Sequence, residues 1–194
     1  MSTTTEPSMM PHTIRRLSTV DDAQVHGLAE LLIDCVEGGA SVSFMHPLPV
    51  QKAVDFWRHV ADGVAQGERA LLVAEDVEGT VGTVQLVFGQ PENQPHRADL
   101  SKMLVHRRAR RRGVGAALLR AAENVARECG KSLLVLDTAS GDAERLYERE
   151  GWVRVGQNRT LTPAQPPMGA PGATNRWTPM GSANAFQFSA PAVA

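Results

Sequence analysis

The chain has 194 residues and carries 20 Lys and Arg against 21 Asp and Glu, a formal net charge of −1 at pH 7. That balance excludes a polyanion binder recruited by global charge, and the length suits one domain with a single sizeable core rather than two folded domains. No apolar run approaches the roughly twenty residues that cross a bilayer, and the start lacks a charged-then-apolar leader, so the expectation is a cytoplasmic protein with no membrane partner.

Residues 1–12 are polar, rich in Ser and Thr and without periodicity, and are expected to be a flexible lead-in. Ile14 to Leu17 suits a short strand. Ser18 and Asp21 have the spacing of a capping box ahead of a helix whose apolar face runs Val25, Leu28, Ala29, Leu32, Ile33 and Val36 and which stops near Gly38. A glycine-rich loop leads to a second helix from Val50 to Gln66, with Val54, Trp57, Val60, Ala61 and Val64 as its stripe and Gly67 as its stop. Ala70 to Asp76 and Val81 to Gln90 flank a Glu78-Gly79 turn, which is a hairpin signal. Pro91 and Pro95 end that pairing, and a third strand runs from Ala98 to Val105.

The densest information follows. Arg107, Arg108, Arg110, Arg111 and Arg112 lead through Gly113, Val114 and Gly115 into a helix from Val114 to Cys129, with Gly130 as its C-cap. Val114, Leu118, Ala122, Val125, Ala126 and Cys129 fall on one helical face. A helix start offers amides without intrahelical partners and about half a positive charge, and glycine lets the backbone approach an anion closely. The combination suits a pyrophosphate. Neither the Walker pattern nor the three-glycine dinucleotide pattern fits; Arg110 to Gly115 reads R-x-x-G-x-G. A solvated Arg face or a nucleic-acid patch competes with this reading, but neither needs the glycines or the strand-to-helix context. After the helix come an apolar strand Leu133 to Asp137, a short helix Asp142 to Glu150, and a strand Trp152 to Gly156. Strands separated by helices indicate an α/β fold, a mixed sheet with helices on both faces.

The R-x-x-G-x-G segment after a strand, followed some thirty residues later by Leu146, Tyr147, Gly151 and Trp152, resembles the GCN5-related N-acetyltransferase (GNAT) superfamily. Gly38 to Met45 (GGASVSFM) is similar to a segment of the tabtoxin-resistance acetyltransferase group. The resemblance covers about Ile14 to Gln157, and residues 13–157 are taken as the acetyltransferase domain. It implies a mostly antiparallel central sheet splayed at an acetyl-CoA site, and direct transfer of acetyl to an amine with neither an acyl-enzyme nor a metal. On this likeness Arg110, Arg111, Arg112, Gly113, Val114, Gly115 and Ala116 hold the coenzyme pyrophosphate. Met103, Leu104 and Val105 offer main chain to the pantetheine arm.

Two chemical demands remain: the amine must be uncharged to attack, and the departing thiolate must be protonated. Tyr147, the single Tyr of the chain, matches the family's tyrosine and is the expected acid, with plain core packing as its alternative. Asp137 is the expected base, with Asp99 as the second candidate and a capping role as the alternative. Ser41, Ser43, Phe44 and Asp99 are expected on the acceptor side, unless Gly38 to Met45 is only a connecting loop. The implied partner is a small, amino-acid-like amine, in toxin or antibiotic resistance. Acetylation of a protein or peptide amine, or coenzyme binding without catalysis, are the competing functions. Cys35 and Cys129 sit in apolar helical patterns and read as buried thiols, so neither is assigned a redox or metal role. His26, His59, His96 and His106 have no ligand spacing.

Residues 158–194 change character, with six prolines, many small residues and only Arg159 and Arg176 charged. Members of the superfamily finish the sheet with another strand; none is recognisable here. Trp177, Phe186 and Phe188 stand out as aromatics without a predicted seat. An unfinished sheet edge would favour pairing with a second copy, hence an expected homodimer.

Overall fold

The computed structural model describes residues 12–40, 42–138, 141–160 and 183–190, with side chains at all of these except 157–160 and 183–186. Seven strands form one open sheet: β1 (Thr13–Leu17), β2 (Arg69–Asp76), β3 (Gly79–Val87), β4 (Arg97–Val105), β5 (Leu133–Thr138), β6 (Val153–Thr160) and β7 (Ala183–Ser189), in the order β1-β2-β3-β4-β5-β7-β6. Every neighbouring pair is antiparallel except β4 with β5. Helices α1 (Asp22–Glu37) and α2 (Val50–Ala65) cover one face; α3 (Val114–Glu128) and α4 (Gly141–Arg149) cover the other.

The alternation of β2 shows how one strand serves two cores. Leu71 and Val73 pack under α1 and α2, while Ala70, Leu72 and Ala74 pack under α3. The helix ends are set by local chemistry. Asp21, not Ser18, caps α1: its carboxylate accepts the Gln24 amide at 2.8 Å and the Gln24 side chain accepts the Asp21 amide at 3.0 Å, a box shifted three residues from the expected one. Gly130 closes α3 at φ 69°, with its own amide on Arg127 O and the Lys131 amide on Ala126 O, the paired bonds of a Schellman turn.

Two departures from regular pairing shape the centre. β4 pairs with β5 only from Arg97 to Asp99, opposite Leu133 to Val135, after which the two parallel strands separate. On its other side β4 carries one extra residue: Gln85 faces Ser101 but Thr83 faces Leu104, and Lys102 takes up the slack at φ 50°. This bulge bends β4 away from β5 and opens the sheet in its middle.

The C-terminal stretch corrects the expectation of an unfinished sheet. β7 inserts between β5 and β6, with Leu136 opposite Phe188 and Arg154 opposite the same residue on the far side. Phe188 is fully buried and its ring centroid lies 5.7 Å from that of Tyr147. The strand reads Ala-Asn-Ala-Phe-Gln-Phe-Ser, too rich in small and polar residues to signal by itself; two waiting strand edges make it a strand. Trp177 lies outside the described residues.

Candidate active site

The separated strands β4 and β5 flank a cleft of about 1240 Å³ that also takes in the loop after α1, the start of α3 and one face of α4. The end expected to take the coenzyme is built from main chain. Gly113, the N-cap of α3, sits at φ 79° with no side-chain cap. The first intrahelical bond runs from the Ala117 amide to Gly113 O at 3.0 Å, which leaves the amides of Val114, Gly115 and Ala116 ahead of it. A Cβ on Gly115 would come within 3.0 Å of Leu146 Cδ2, so glycine keeps this wall open. Helix dipole, free amides and close backbone approach coincide here, and the residues fit a pyrophosphate.

The arginines divide by task. Arg107 donates its amide and Nε to the two Asp34 oxygens at 2.9 and 2.7 Å and Nη2 to Glu37 at 3.2 Å, tying the cradle to the end of α1. Arg108 Nη2 reaches Asp76 Oδ1 at 3.0 Å. Burial pushes the Asp34 carboxyl up, but the hydrogen bonds from Arg107 and the nearby charges of His106 and Arg107 outweigh it, so Asp34 titrates below the usual carboxylate range. Asp76 is lowered chiefly by its bonds to Arg108. Arg110 Nε donates to Val105 O at 3.3 Å, and Arg110 and Arg111 line the cleft, whereas Arg112 is outside its lining. Arg107 and Arg108 are therefore committed to carboxylates of the fold rather than free for an outer phosphate.

Met103, Leu104, Val105, Gly113, Val114, Gly115 and Ala116 all line the cleft, as do Ser43, Asp99, Asp137 and Tyr147. Ser41 lies outside the described residues. Phe44 is not in the lining; it turns away and packs edge-on against Phe56, centroids 5.2 Å apart, because the loop buries it against α2. Side chains that no expected role marked also line it, among them Cys35, Arg97, Lys102 and, on α4, Arg145 and Arg149. Lys102 stands out only as one of three lysines in the chain, placed between Ser101 and the apolar run Met103 to Val105.

Tyr147 is packed in the core, its ring against Trp152 and Phe188, and borders the cleft at once. Burial raises the phenol well above its ordinary value, so it stays protonated at neutral pH. Asp137 is exposed at the end of β5, four residues ahead of α4, and no hydrogen bond or ion pair to its carboxylate lies among the described residues. Asp99 is engaged, accepting Arg97 Nε at 2.8 Å. Cys35 is a buried thiol donating to Val105 O at 3.6 Å, and burial pushes it up to about 11. Among the described residues no three His, Cys, Asp or Glu side chains come together as a metal site.

Strain concentrates here. The three non-glycine residues with left-handed backbone among those described, Ser43, Lys102 and Arg111, all line this cleft.

Comparison with known proteins agrees with this geometry. Residues 67–154 match the family model described as acetyltransferase (GNAT) domain, a span that holds β2 to β4, the cradle and Tyr147. The fold is similar to that of a GCN5-related N-acetyltransferase from Kribbella flavida, at 19% identity and TM-score 0.70, covering 93% of this chain and 97% of that one. It is similar to a ribosomal-protein-alanine N-acetyltransferase from Brucella melitensis at 20% identity and TM-score 0.68, covering 91% and 98%. A Salmonella typhimurium protein solved with its cofactor acetyl-CoA aligns at 19% identity and TM-score 0.64 over 93% of each chain. Residues 67–154 thus match an acetyltransferase (GNAT) domain, and the fold is the one these structures share. The chain's class is that of N-acetyltransferases with acetyl-CoA as cosubstrate.

Proposed function

We propose that this N-acetyltransferase acetylates the amine of a small, amino-acid-like molecule, as the tabtoxin-resistance resemblance implies, in the setting of toxin or antibiotic resistance. The observation that carries this reading is the clamp over the acceptor end. Lys102 Nζ on β4 donates to Val42 O at 3.0 Å and lies 3.4 Å from Ser43 Oγ, holding the α1–α2 loop against the sheet where an extended peptide would have to pass. Gly38, Gly39, Ala40 and Val42 of that loop border the same cleft.

Bound acetyl-CoA supplies the acetyl group as a thioester with a thiol leaving group. The amides of Val114, Gly115 and Ala116 hold its pyrophosphate, and the open main chain of Met103 to Val105 faces the arm. Asp137, unpaired and exposed at the cleft, takes the proton from the acceptor amine; Asp99, already engaged by Arg97, orients rather than accepts. Tyr147 holds the proton that the departing thiol requires. Burial keeps the phenol protonated, so its hydrogen is in place for the leaving sulfur, while the same burial makes it a weaker acid than a free tyrosine. The same reading places the protein in the cytoplasm; with β7 completing the sheet, a homodimer rests on the superfamily resemblance alone and not on an unfinished edge.

Peptide acetylation is the competing reading, favoured by the fold similarity to the Brucella enzyme. A panel of free amino acids, aminated toxins and N-terminal peptides, scored by thiol release, separates them. Turnover confined to free small amines supports the proposal. Turnover confined to peptides overturns it, and coenzyme binding without thiol release from any amine favours a non-catalytic module.

A further inference from the structure

Lys102 is out of place by ordinary rules. It is half-buried in a strand, and no carboxylate pairs with it among the described residues. Lysine is rarely buried unless paired, because desolvating an ammonium without a counter-charge is costly. Its partners are neutral: Val42 O, Ser43 Oγ and the rings of Phe44 and Phe56, whose centroids lie 5.8 and 5.6 Å from Nζ. Two of its three N–H donors are accounted for by oxygen.

Its surroundings add donors, not acceptors. Gln85, fully buried and opposite Ser101 in the register, accepts from Arg69 Nη1 at 3.1 Å, and its Nε2 has no partner. Desolvation and the nearby Arg69 charge both lower the Lys102 ammonium. The local deficit is one of negative charge, and Lys102 borders the cleft.

The position along the strand says whose charge would fill it. Lys102 lies three residues before Val105 and on the side of Met103 away from the cradle, so at about 3.3 Å per residue it stands near the acyl and acceptor end, not the phosphates. Asp99 on β4 and Asp137 on β5 line the cleft from its two flanking strands, and Asp137, free of the Arg97 contact that engages Asp99, suits the amine. Lys102 and Asp137 at one opening complement a zwitterion.

We propose that Lys102 recognises a carboxylate on the acceptor and makes the enzyme selective for amines that carry one. This rests on the small-acceptor reading above and names the chemistry of that acceptor. Closing the pair also keeps the loop clamped, since the carboxylate and the Val42 and Ser43 oxygens share one ammonium.

The test is a paired panel: the common α-amino acids and their primary amides, with thiol release as the readout, in the wild type, Lys102→Met and Lys102→Arg. The amide differs from the acid in its own amine pKa, but that difference cancels when enzymes are compared. The expected result is that Lys102→Met raises KM for the carboxylate acceptors about 10- to 100-fold relative to their amides, and that Lys102→Arg restores much of the preference. Affinity for acetyl-CoA, measured by calorimetry, is expected to stay within about twofold, reporting that the site is still assembled. Equal losses for acids and amides reduce Lys102 to a loop clamp and overturn the inference, as does a comparable fall in coenzyme affinity. Turnover of both acceptor types without discrimination in the wild type overturns this inference alone. No turnover of either, with peptides accepted instead, overturns the small-acceptor reading and this inference with it.

Discussion

The two ends of the cleft are made by different means. The end proposed for the coenzyme is contiguous: one strand end, eight residues and one helix start supply amides that no substitution other than proline removes. The acceptor end is assembled from the α1–α2 loop, β4, β5 and α4, with β7 packed behind, and depends on side chains placed by tertiary contacts. A function carried by main chain survives wide variation in the residues around it; a function carried by converging side chains is set by packing and is where specificity lives. Arg107 to Arg112 illustrates the first case, because two of its five arginines bind the fold's own carboxylates and the anion site is left to glycine and amides.

That contrast is broken most severely by removing the packing behind the acceptor end. Phe188→Ala deletes a fully buried ring shared with Tyr147 and should destabilise by about 3–5 kcal/mol in urea unfolding. If the tail strand were peripheral, the loss would be under about 1 kcal/mol. Asp137→Asn should lower kcat/KM for the acceptor about 100-fold, near 2.7 kcal/mol, while leaving coenzyme affinity unchanged; an equal loss in Asp99→Asn with full activity in Asp137→Asn would exchange their roles.

Gly82→Ala probes the coenzyme end from beneath. The new Cβ would sit 2.9 Å from Leu118 Cδ1 and Val114 Cγ1 and 3.2 Å from Leu104 O, so α3 must shift. A cost of about 1–3 kcal/mol and weaker acetyl-CoA binding are expected, and calorimetry showing unaltered binding would separate helix seating from the cradle. The smallest effect is electrostatic. Asp34 and Asp76 titrate lower folded than unfolded, so their contribution is present above the unfolded value near 4 and is lost as pH falls through the folded values. Thermal midpoints should be level above about pH 5 and fall below about pH 4, with Asp34→Asn and Asp76→Asn each reducing the slope.

The same contrast explains what the sequence could disclose. The α3 helix was legible to within one residue, ending at Glu128 where Cys129 was expected, because caps, glycines and the 3.6-residue stripe are local signals. The separation of β4 from β5 was anticipated only through family resemblance; its physical cause, a bulge at Lys102, has no glycine to announce it. Phe44 was drawn toward the acceptor by its neighbours in the loop and instead satisfies an aromatic contact with Phe56. β7 escaped notice because its strand character comes from β5 and β6, some thirty to fifty residues earlier in the chain, and not from its own composition. The carboxylate that seats Arg107 belongs to a helix about seventy residues away, a pairing no spacing rule reports.

The central claim is that coenzyme binding and chemistry are carried by separable parts, the α3 amides and the Tyr147 hydroxyl. Steady-state kinetics and coenzyme calorimetry on Tyr147→Phe test it most directly. The account predicts kcat reduced about 100-fold with the acetyl-CoA Kd within about twofold of wild type. Undiminished kcat would remove Tyr147 from the chemistry and contradict it.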